Sequence, residues 1–307
     1  MSQTLIIGTR ASKLAMAQAE MLRDALLAVA PGLAISFLPM TTAGDKEVQK
    51  DISDWGYKGL FTKELEDALL DGRIDVAVHS TKDMPSLLPD GLVICGMLER
   101  ADMRDAWLSP HHTSIGALPK GAIVGTSSTR RAAQLKFRRP DVRVVPFRGN
   151  VDTRLKKLAD GVAEGTFLAA AGLIRLGYEH HIRDLIPTDE MLPAAAQGAI
   201  CMECRSERAD IQALMARVSH RPTEICITAE RAFLKTLDGS CRTPIAALAE
   251  LSEGTLTLRG EVLAPDGSVR HYQEILGSAA EAERLGLALG ERLRREAGEG
   301  LLAQVHG

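Results

Sequence analysis

The chain has 307 residues, 45% hydrophobic and 25% charged, with aromatic residues at 4% and a formal net charge of -3. That length suits two or three domains with their own interiors, and the balance excludes a disordered, collagen-like or low-complexity chain. Negative net charge with few aromatic rings excludes an ordinary nucleic-acid binder, and no apolar run approaches the roughly 18 residues a membrane span requires.

The opening "MSQTLIIGTRAS" enters an apolar run with no cationic leader and no small-residue cleavage site, which predicts a cytoplasmic protein. "TLIIGT" reads as a strand, followed by a helix from Ser12 to about Ala30 with Ser12 as candidate N-cap. "AISFLPM" reads as a second strand, "LFTKELEDALLDG" as a helix ending at Gly72, and "IDVAVHS" as a buried third strand. Strands separated by helices predict parallel, doubly wound sheets, which bind ligands beyond the carboxyl ends of their strands. Gly8-Thr9-Arg10 and Ser80-Thr81-Lys82-Asp83 fall at such ends.

A second unit begins near Asp105. "AIVGTSSTRRAAQL" reads as strand, hydroxyl-rich loop and helix, and "VRVVPFRGNVDTRLKKLADG" repeats that order with Arg148-Gly149-Asn150 in the loop. Leu98 to Arg104 and Pro193 to Gly198 read as crossings between units. The expected domains are therefore residues 1–98 with 199–218, residues 104–193, and residues 221–307. The last comprises the helix "TEICITAERAFLKTLDG", a hairpin turning at Asp266-Gly267 and a final helix, making a small α+β domain.

From Ser127 to Lys157 the chain holds ten basic residues against two acidic ones, Asp141 and Asp152. No G-x-x-x-x-G-K-[ST] or strand-to-helix G-x-G-x-x-G is present to explain them by a nucleotide. Lys136, Arg138, Arg139, Lys156 and Lys157 fall late in helices, where they suit the helix dipole. Arg10, Arg130, Arg131, Arg148 and Arg154 follow strand ends, and Thr126, Ser127 and Ser128 lead into a helix N-terminus. Guanidinium forks match carboxylates or phosphates in pairs, so the expected ligand is a small molecule with several acidic groups.

Asp83 lies among these cations in "HSTKDMP"; it is either half of a structural ion pair with Lys82 or a nearby Arg, or a fixed anion that stabilises a transient cation. Cysteine is present at five positions, an odd number that argues against a disulfide framework. "CMEC" at Cys201 to Cys204 has metal-motif spacing, but the surrounding "GAICMECR" alternates like a buried strand, and no metal site is expected. Cys241 stands in the polar loop "LDGSCRTP" beside Arg242, which favours thiolate, although burial is the usual fate of a free cysteine.

"IGTRASKLA", "YKGLFTKELEDALLDGRIDVAVHSTKDMP", "VGTSSTRRAAQL", "FRGNVDTRL", "LAAAGLIRLG", "LPAAAQGAI" and "LDGSCRTPIAAL" resemble, in order and along nearly the whole chain, the porphobilinogen deaminase family. The resemblance implies two doubly wound α/β domains like type II periplasmic binding proteins, hinged around a cleft, plus a small C-terminal α+β domain. It implies a monomeric transferase that joins four porphobilinogen molecules, with loss of ammonia, into hydroxymethylbilane, without nucleic-acid or membrane partners. By motif, Cys241 resembles the attachment point of the dipyrromethane cofactor, bound through a thioether, and Asp83 the acid that stabilises positive charge during the reaction. Arg10, Ser12, Lys82, Thr126, Ser128, Arg130, Arg131, Arg148, Arg154, Arg175 and Gln197 match positions that bind cofactor or substrate carboxylates or assist proton transfer. One departure is Asp54-Trp55-Gly56-Tyr57-Lys58, where family members often carry a lysine and two glycines in a loop that spans about Ala43 to Lys58. The reading from another class is a non-catalytic binding protein of the same two-domain form, which would have no use for Cys241 and would usually carry a secretory leader.

Overall fold

A computed structural model describes residues 4–46, 61–237 and 244–306. The chain divides into two compact units, residues 1–101 with 198–224 and residues 102–197 with 225–307. Cys241 and the Asp54 to Lys58 stretch lie outside the described residues.

In the first unit, β1 (Leu5–Arg10) leads through Ser12 into α1 (Lys13–Val29), where the Ser12 Oγ accepts a hydrogen bond from the Ala15 N–H at 3.3 Å. That cap satisfies a donor the helix cannot, as the sequence predicts. Ala15, Gln18, Ala19, Leu22 and Leu26 form the buried stripe of α1 at helical spacing. β2 (Ile35–Met40), the short α2 (Ala43–Lys46), α3 (Lys63–Leu70), β3 (Val76–Ser80) and β4 (Leu92–Met97) follow, and the chain later returns with β10 (Ile200–Arg205) and α7 (Ala209–Ala216). The sheet order is β2-β1-β3-β10-β4. β2, β1 and β3 are parallel, whereas β10 runs antiparallel to β3 and β4, because no helical crossover delivers it.

The two faces of this sheet serve two cores. Val76, Val78, Ile200, Met202 and Cys204 pack with α1 and α7, while Ala77 packs with Leu65, Ala68 and Leu69 of α3. The period of two sends Cys201 and Cys204 to opposite faces of β10, so "CMEC" cannot grip one metal ion. No group of ligating residues suited to a metal occurs among the described residues. Nor is any described helix long and apolar enough to cross a membrane.

The second unit contains β5 (Asp105–Leu108), β6 (Ile123–Gly125), α4 (Thr129–Arg138), β7 (Arg143–Val145), α5 (Val151–Ala159), β8 (Gly165–Ala169), α6 (Ala170–Arg175) and β9 (Asp184–Leu185). Its sheet order, β7-β6-β8-β5-β9, repeats the plan of the first: three parallel strands, then one that runs antiparallel to its neighbours. The repetition is one of topology, and the sequence shows no matching repeat. Trp107 and Phe167 pack at 5.2 Å between ring centroids in its core, above Gly165, where any Cβ would run into the indole.

The rest of this unit is the antiparallel sheet β11 (Ile245–Ser252), β12 (Thr255–Leu263) and β13 (Arg270–Ser278), packed with α8 (Arg221–Thr236) and α9 (Ala282–His306). The hairpin turns at Asp266-Gly267, with Gly267 at φ 77°. Glu230 of α8 is fully buried and accepts hydrogen bonds from the N–H groups of Ala196 at 2.5 Å and Ala249 at 2.8 Å. Ala196 has φ 63°, a conformation that costs an alanine about 1 kcal/mol and needs external support.

Glu230→Leu should therefore lower unfolding stability by about 2–5 kcal/mol, because two buried N–H groups lose a charged acceptor. Glu250→Ala, which removes only an exposed partner of Arg259, should cost under about 1 kcal/mol. Urea unfolding of the two variants compares them directly.

Candidate active site

Parallel β1 and β3 deliver two loops to one edge of the first sheet. Arg10, Ser12, Lys82 and Asp83 line one pocket of about 100 Å³ there, together with Gln18, Phe61, Thr62, His79 and Ser80. The Arg10 guanidinium lies 4.4 Å from the centre of the Phe61 ring, and the Gln18 side-chain amide donates to the Ser80 Oγ at 2.8 Å. Asp83 ends a short 3-10 turn, Thr81–Asp83, that follows β3 directly. Among the described residues, no side-chain hydrogen bond or ion pair engages its half-buried carboxylate. Of the two sequence readings of Asp83, the structural ion pair is thus without a partner there.

The second unit builds a cationic edge in the same manner. The β6–α4 and β7–α5 loops lie side by side because β6 and β7 are adjacent and parallel. The Phe147 N–H donates to the Ser127 Oγ at 2.9 Å, and the Thr126 N–H donates to the Val145 carbonyl at 2.9 Å. Ser128 caps α4, its Oγ accepting from the Arg131 N–H, and Asn150 caps α5.

Arg130 and Arg131 do not face solvent as the free ends of that edge. Both are buried and share Asp105, whose Oδ2 lies 2.8 Å from the Arg130 Nη2 and whose Oδ1 lies 2.6 Å from the Arg131 Nη2. The Leu192 and Phe167 carbonyls accept from the same two guanidiniums, and the Gln197 amide donates to the Asp105 Oδ1 at 2.9 Å. Burial alone would raise the Asp105 carboxyl; the charges of Arg130 and Arg131, with hydrogen bonds from Arg131 and Gln197, override it and hold the group below the ordinary carboxylate range. Two guanidiniums and one carboxylate leave this cluster one positive charge in excess.

Further cations add to it. Arg154 donates through its Nε to the Gly149 carbonyl at 2.8 Å, and burial, with nearby Arg131, pushes it down to about 10. Arg175 is likewise pushed down to about 10 by burial. Both stay protonated at neutral pH, which lies well below that value. Arg148 stands in the β7–α5 loop itself. By contrast Arg139 is bound to Asp141, Lys156 to Asp160, and Arg138 to the Asp189 carbonyl, as expected of cations late in helices.

Asp105 was not among the residues the sequence singled out, since only its fold-dependent distance to Arg130 and Arg131 gives it a role. His79 and Glu203 were missed as well. Their one signal is a lone ionisable side chain inside an otherwise apolar strand, "VAVHS" and "ICMECR".

A family model described as porphobilinogen deaminase, dipyromethane cofactor binding domain, matches residues 5–213, and one described as porphobilinogen deaminase, C-terminal domain, matches residues 224–295. The chain belongs to the porphobilinogen deaminase family. Similar relatives include the porphobilinogen deaminase of Paracoccus denitrificans, 54% identical over 95% of this chain and 94% of that one, and that of Chromobacterium violaceum, 49% identical over 98% and 97%. Among solved structures, a putative methionine-binding lipoprotein of Bacillus subtilis is 14% identical at a TM-score of 0.43, covering 72% of this chain and 92% of that one. A nutrient-binding protein of Burkholderia cenocepacia bound to methionine is 12% identical at 0.43, covering 70% and 91%.

The described residues of this chain fit a dipyrromethane. A dipyrromethane built from porphobilinogen carries several carboxylates, and the buried Arg154 with the one excess positive charge of the Asp105 cluster suits such carboxylates.

Asp105→Asn should cost about 3–5 kcal/mol, since it leaves two buried guanidiniums without their counter-ion. The pH dependence has a definite sign. A carboxyl depressed in the folded state contributes stability above its unfolded value near 4, and that stability is lost as pH falls below it. Acid unfolding should therefore be shallower in Asp105→Asn than in the parent, which circular dichroism between about pH 6 and 2 measures.

Proposed function

We propose that Asp83 is the carboxylate at the reacting centre of this enzyme, that Cys241 carries its cofactor, and that the cationic loops of residues 126–154 hold the carboxylates of the growing product. The chain is a transferase of tetrapyrrole and haem biosynthesis that polymerises porphobilinogen into hydroxymethylbilane with a dipyrromethane cofactor. The observation that carries the site assignment is the Asp83 carboxylate, engaged by no side chain among the described residues, in a pocket that it shares with Arg10 and Lys82.

Bound dipyrromethane supplies the primer ring to which each new pyrrole is joined. The thiolate of Cys241, favoured by neighbouring Arg242, is the nucleophile that anchors it. Arg10, Ser12 and Lys82 hold carboxylates beside Asp83. Thr126, Ser128, Arg148, Arg154, Arg175 and Gln197 serve the carboxylates of rings farther along. Arg130 and Arg131 act partly through Asp105, which spends one unit of their charge and fixes both forks in place.

Asp83 needs no proton transfer to contribute. As ammonia leaves the substrate, positive charge develops on the pyrrole, and a fixed anion beside it lowers that barrier. We read the second unit as two domains, 104–193 and 221–307, the latter carrying the cofactor cysteine, although residues 221–224 at the start of α8 fall with the first unit. The protein acts on porphobilinogen as a cytoplasmic monomer.

Asp83→Asn keeps size and removes charge. It should retain the thermal midpoint and the bound pyrrole while turnover falls by about 10²–10³. A variant that is stable, loaded and near-normal in rate would remove Asp83 from the mechanism. Cys241→Ser should fold but hold no covalent pyrrole, because a serine hydroxyl is far less ionised at neutral pH. Mass spectrometry of the purified variant reads this, and a covalently loaded serine variant would assign the attachment elsewhere.

A further inference from the structure

Behind the Asp83 pocket lies a second ionisable cluster for which the reaction as described has no use. β3 and β10 are antiparallel, with His79 opposite Cys201 and Ala77 opposite Glu203. The diagonal neighbours His79 and Glu203 therefore share one face, and the His79 Nε2 lies 3.0 Å from the Glu203 Oε2. α3 covers that face and supplies Glu66, preceded by Thr62. The three ionisable side chains are buried, Glu203 completely.

The polar inventory does not close. Glu203 Oε1, Glu66 Oε1 and Thr62 Oγ1 are each buried without a hydrogen-bond partner among the described residues. Buried carboxyls with unmade bonds are costly, and clusters of them call for a reason. Burial pushes the Glu66 carboxyl above the ordinary range, and the nearby Glu203 charge adds to the rise. At 3.0 Å, the His79 and Glu203 atoms must share a hydrogen, carried by one or the other. His79 and Thr62 both line the pocket that contains Asp83, and the His79 Nδ1 has no partner among the described residues.

We propose that Glu66, Glu203 and His79 form a relay that holds one exchangeable proton behind the Asp83 pocket and passes it through His79 to and from the reacting groups. His79 is the member that meets the pocket; Glu203 and Glu66 are positioning residues that act through it. Each condensation breaks one C–N bond and one ring C–H bond and forms one C–C bond. The amine nitrogen leaves with the C–N electron pair and takes a proton to become ammonia; the attacking ring carbon gives up its proton once the new bond has formed. With a neutral amine, one proton moves from carbon to nitrogen and none is consumed. A relay that gives its proton to nitrogen and regains one from carbon is unchanged at the end of each cycle. Asp83 then remains a fixed anion throughout, free to stabilise charge.

The charged groups on the elements packed around this cluster bear on its pH dependence. They include Lys63, Glu64 and Asp67 on α3, Arg10 after β1, Lys82 and Asp83 after β3, and Arg205 at the end of β10.

The inference rests on the reading of the Asp83 pocket as the reacting centre, so Asp83→Asn is measured beside Glu66→Gln and Glu203→Gln, all as cofactor-loaded full-length protein. Infrared spectra in H2O and D2O should show the carbonyl stretch of a buried protonated carboxyl in the parent and in Asp83→Asn, lost in Glu66→Gln and lost or displaced in Glu203→Gln. Both relay variants should load cofactor normally, with kcat down roughly 10²-fold, KM within about twofold, and one limb of the kcat–pH profile displaced. If Asp83→Asn is slow while both relay variants keep kcat and the pH profile of the parent, the relay is wrong and the pocket assignment stands. If Asp83→Asn is itself near normal, the pocket assignment fails. A parent without the protonated-carboxyl band overturns the relay, as does a loss of activity that only follows lost loading or lost folding. Should Glu203→Gln fail to fold, Glu66→Gln at the edge of the cluster decides by the same readouts.

Discussion

Two arginines that follow each other at the start of a helix would ordinarily repel, and burying both would be prohibitive without an anion between them. Asp105, at the first position of β5, is that anion, and much of the second unit is arranged around it. Its carboxylate fixes the forks of Arg130 and Arg131, draws in Gln197, and thereby ties the crossing segment of residues 193–197 to the sheet. Glu230 holds the neighbouring residue of that segment, Ala196, in its left-handed conformation. One internal charge thus leaves this cationic edge preorganised and still positive. Preorganisation matters because a polycarboxylate ligand then meets donors whose entropy is already lost.

The two sheets share one strand order but differ in the sign of the work their edges do. In the second, cations predominate and are held by backbone carbonyls and a single shared carboxylate, an arrangement suited to grip. In the first, a carboxylate that no side chain engages among the described residues shares a pocket with Arg10, Lys82 and a histidine, an arrangement suited to proton and charge management. A protein that merely captured a polycarboxylate would gain from the former and lose by the latter, since Asp83 repels its ligand. The pairing of the two is what favours turnover over storage.

Much of this was legible in the sequence where the physics is local. Ser12 and Ser128 cap the helices they precede, Asp266-Gly267 turns the hairpin, and the alternation in "ICMECR" marks a strand, because each depends on residues within a few positions. The loops bearing Arg10, Lys82 and Asp83 were legible for a similar reason: strand ends in a doubly wound sheet all face one edge. The residues that were missed act across long separations. Asp105 meets Arg130 and Arg131 25 and 26 positions away, and His79 meets Glu203 124 positions away. Arg130 and Arg131 were read as ligand-facing alone because spacing does not show that a carboxylate already shares them. The antiparallel course of β10 was likewise hidden, since direction follows from the path of the chain and not from the strand's own residues.

The central claim is that a covalently held primer grows stepwise at Asp83 while the cationic loops carry its carboxylates. Intact-mass spectrometry of the native protein, before and after addition of limiting porphobilinogen, tests it most directly. The purified protein should exceed the mass of its chain by one dipyrromethane, and substrate should add a ladder of species, each heavier by one porphobilinogen less ammonia. A protein with the mass of the bare chain, or one that gains whole porphobilinogen molecules without loss of ammonia, would contradict the account.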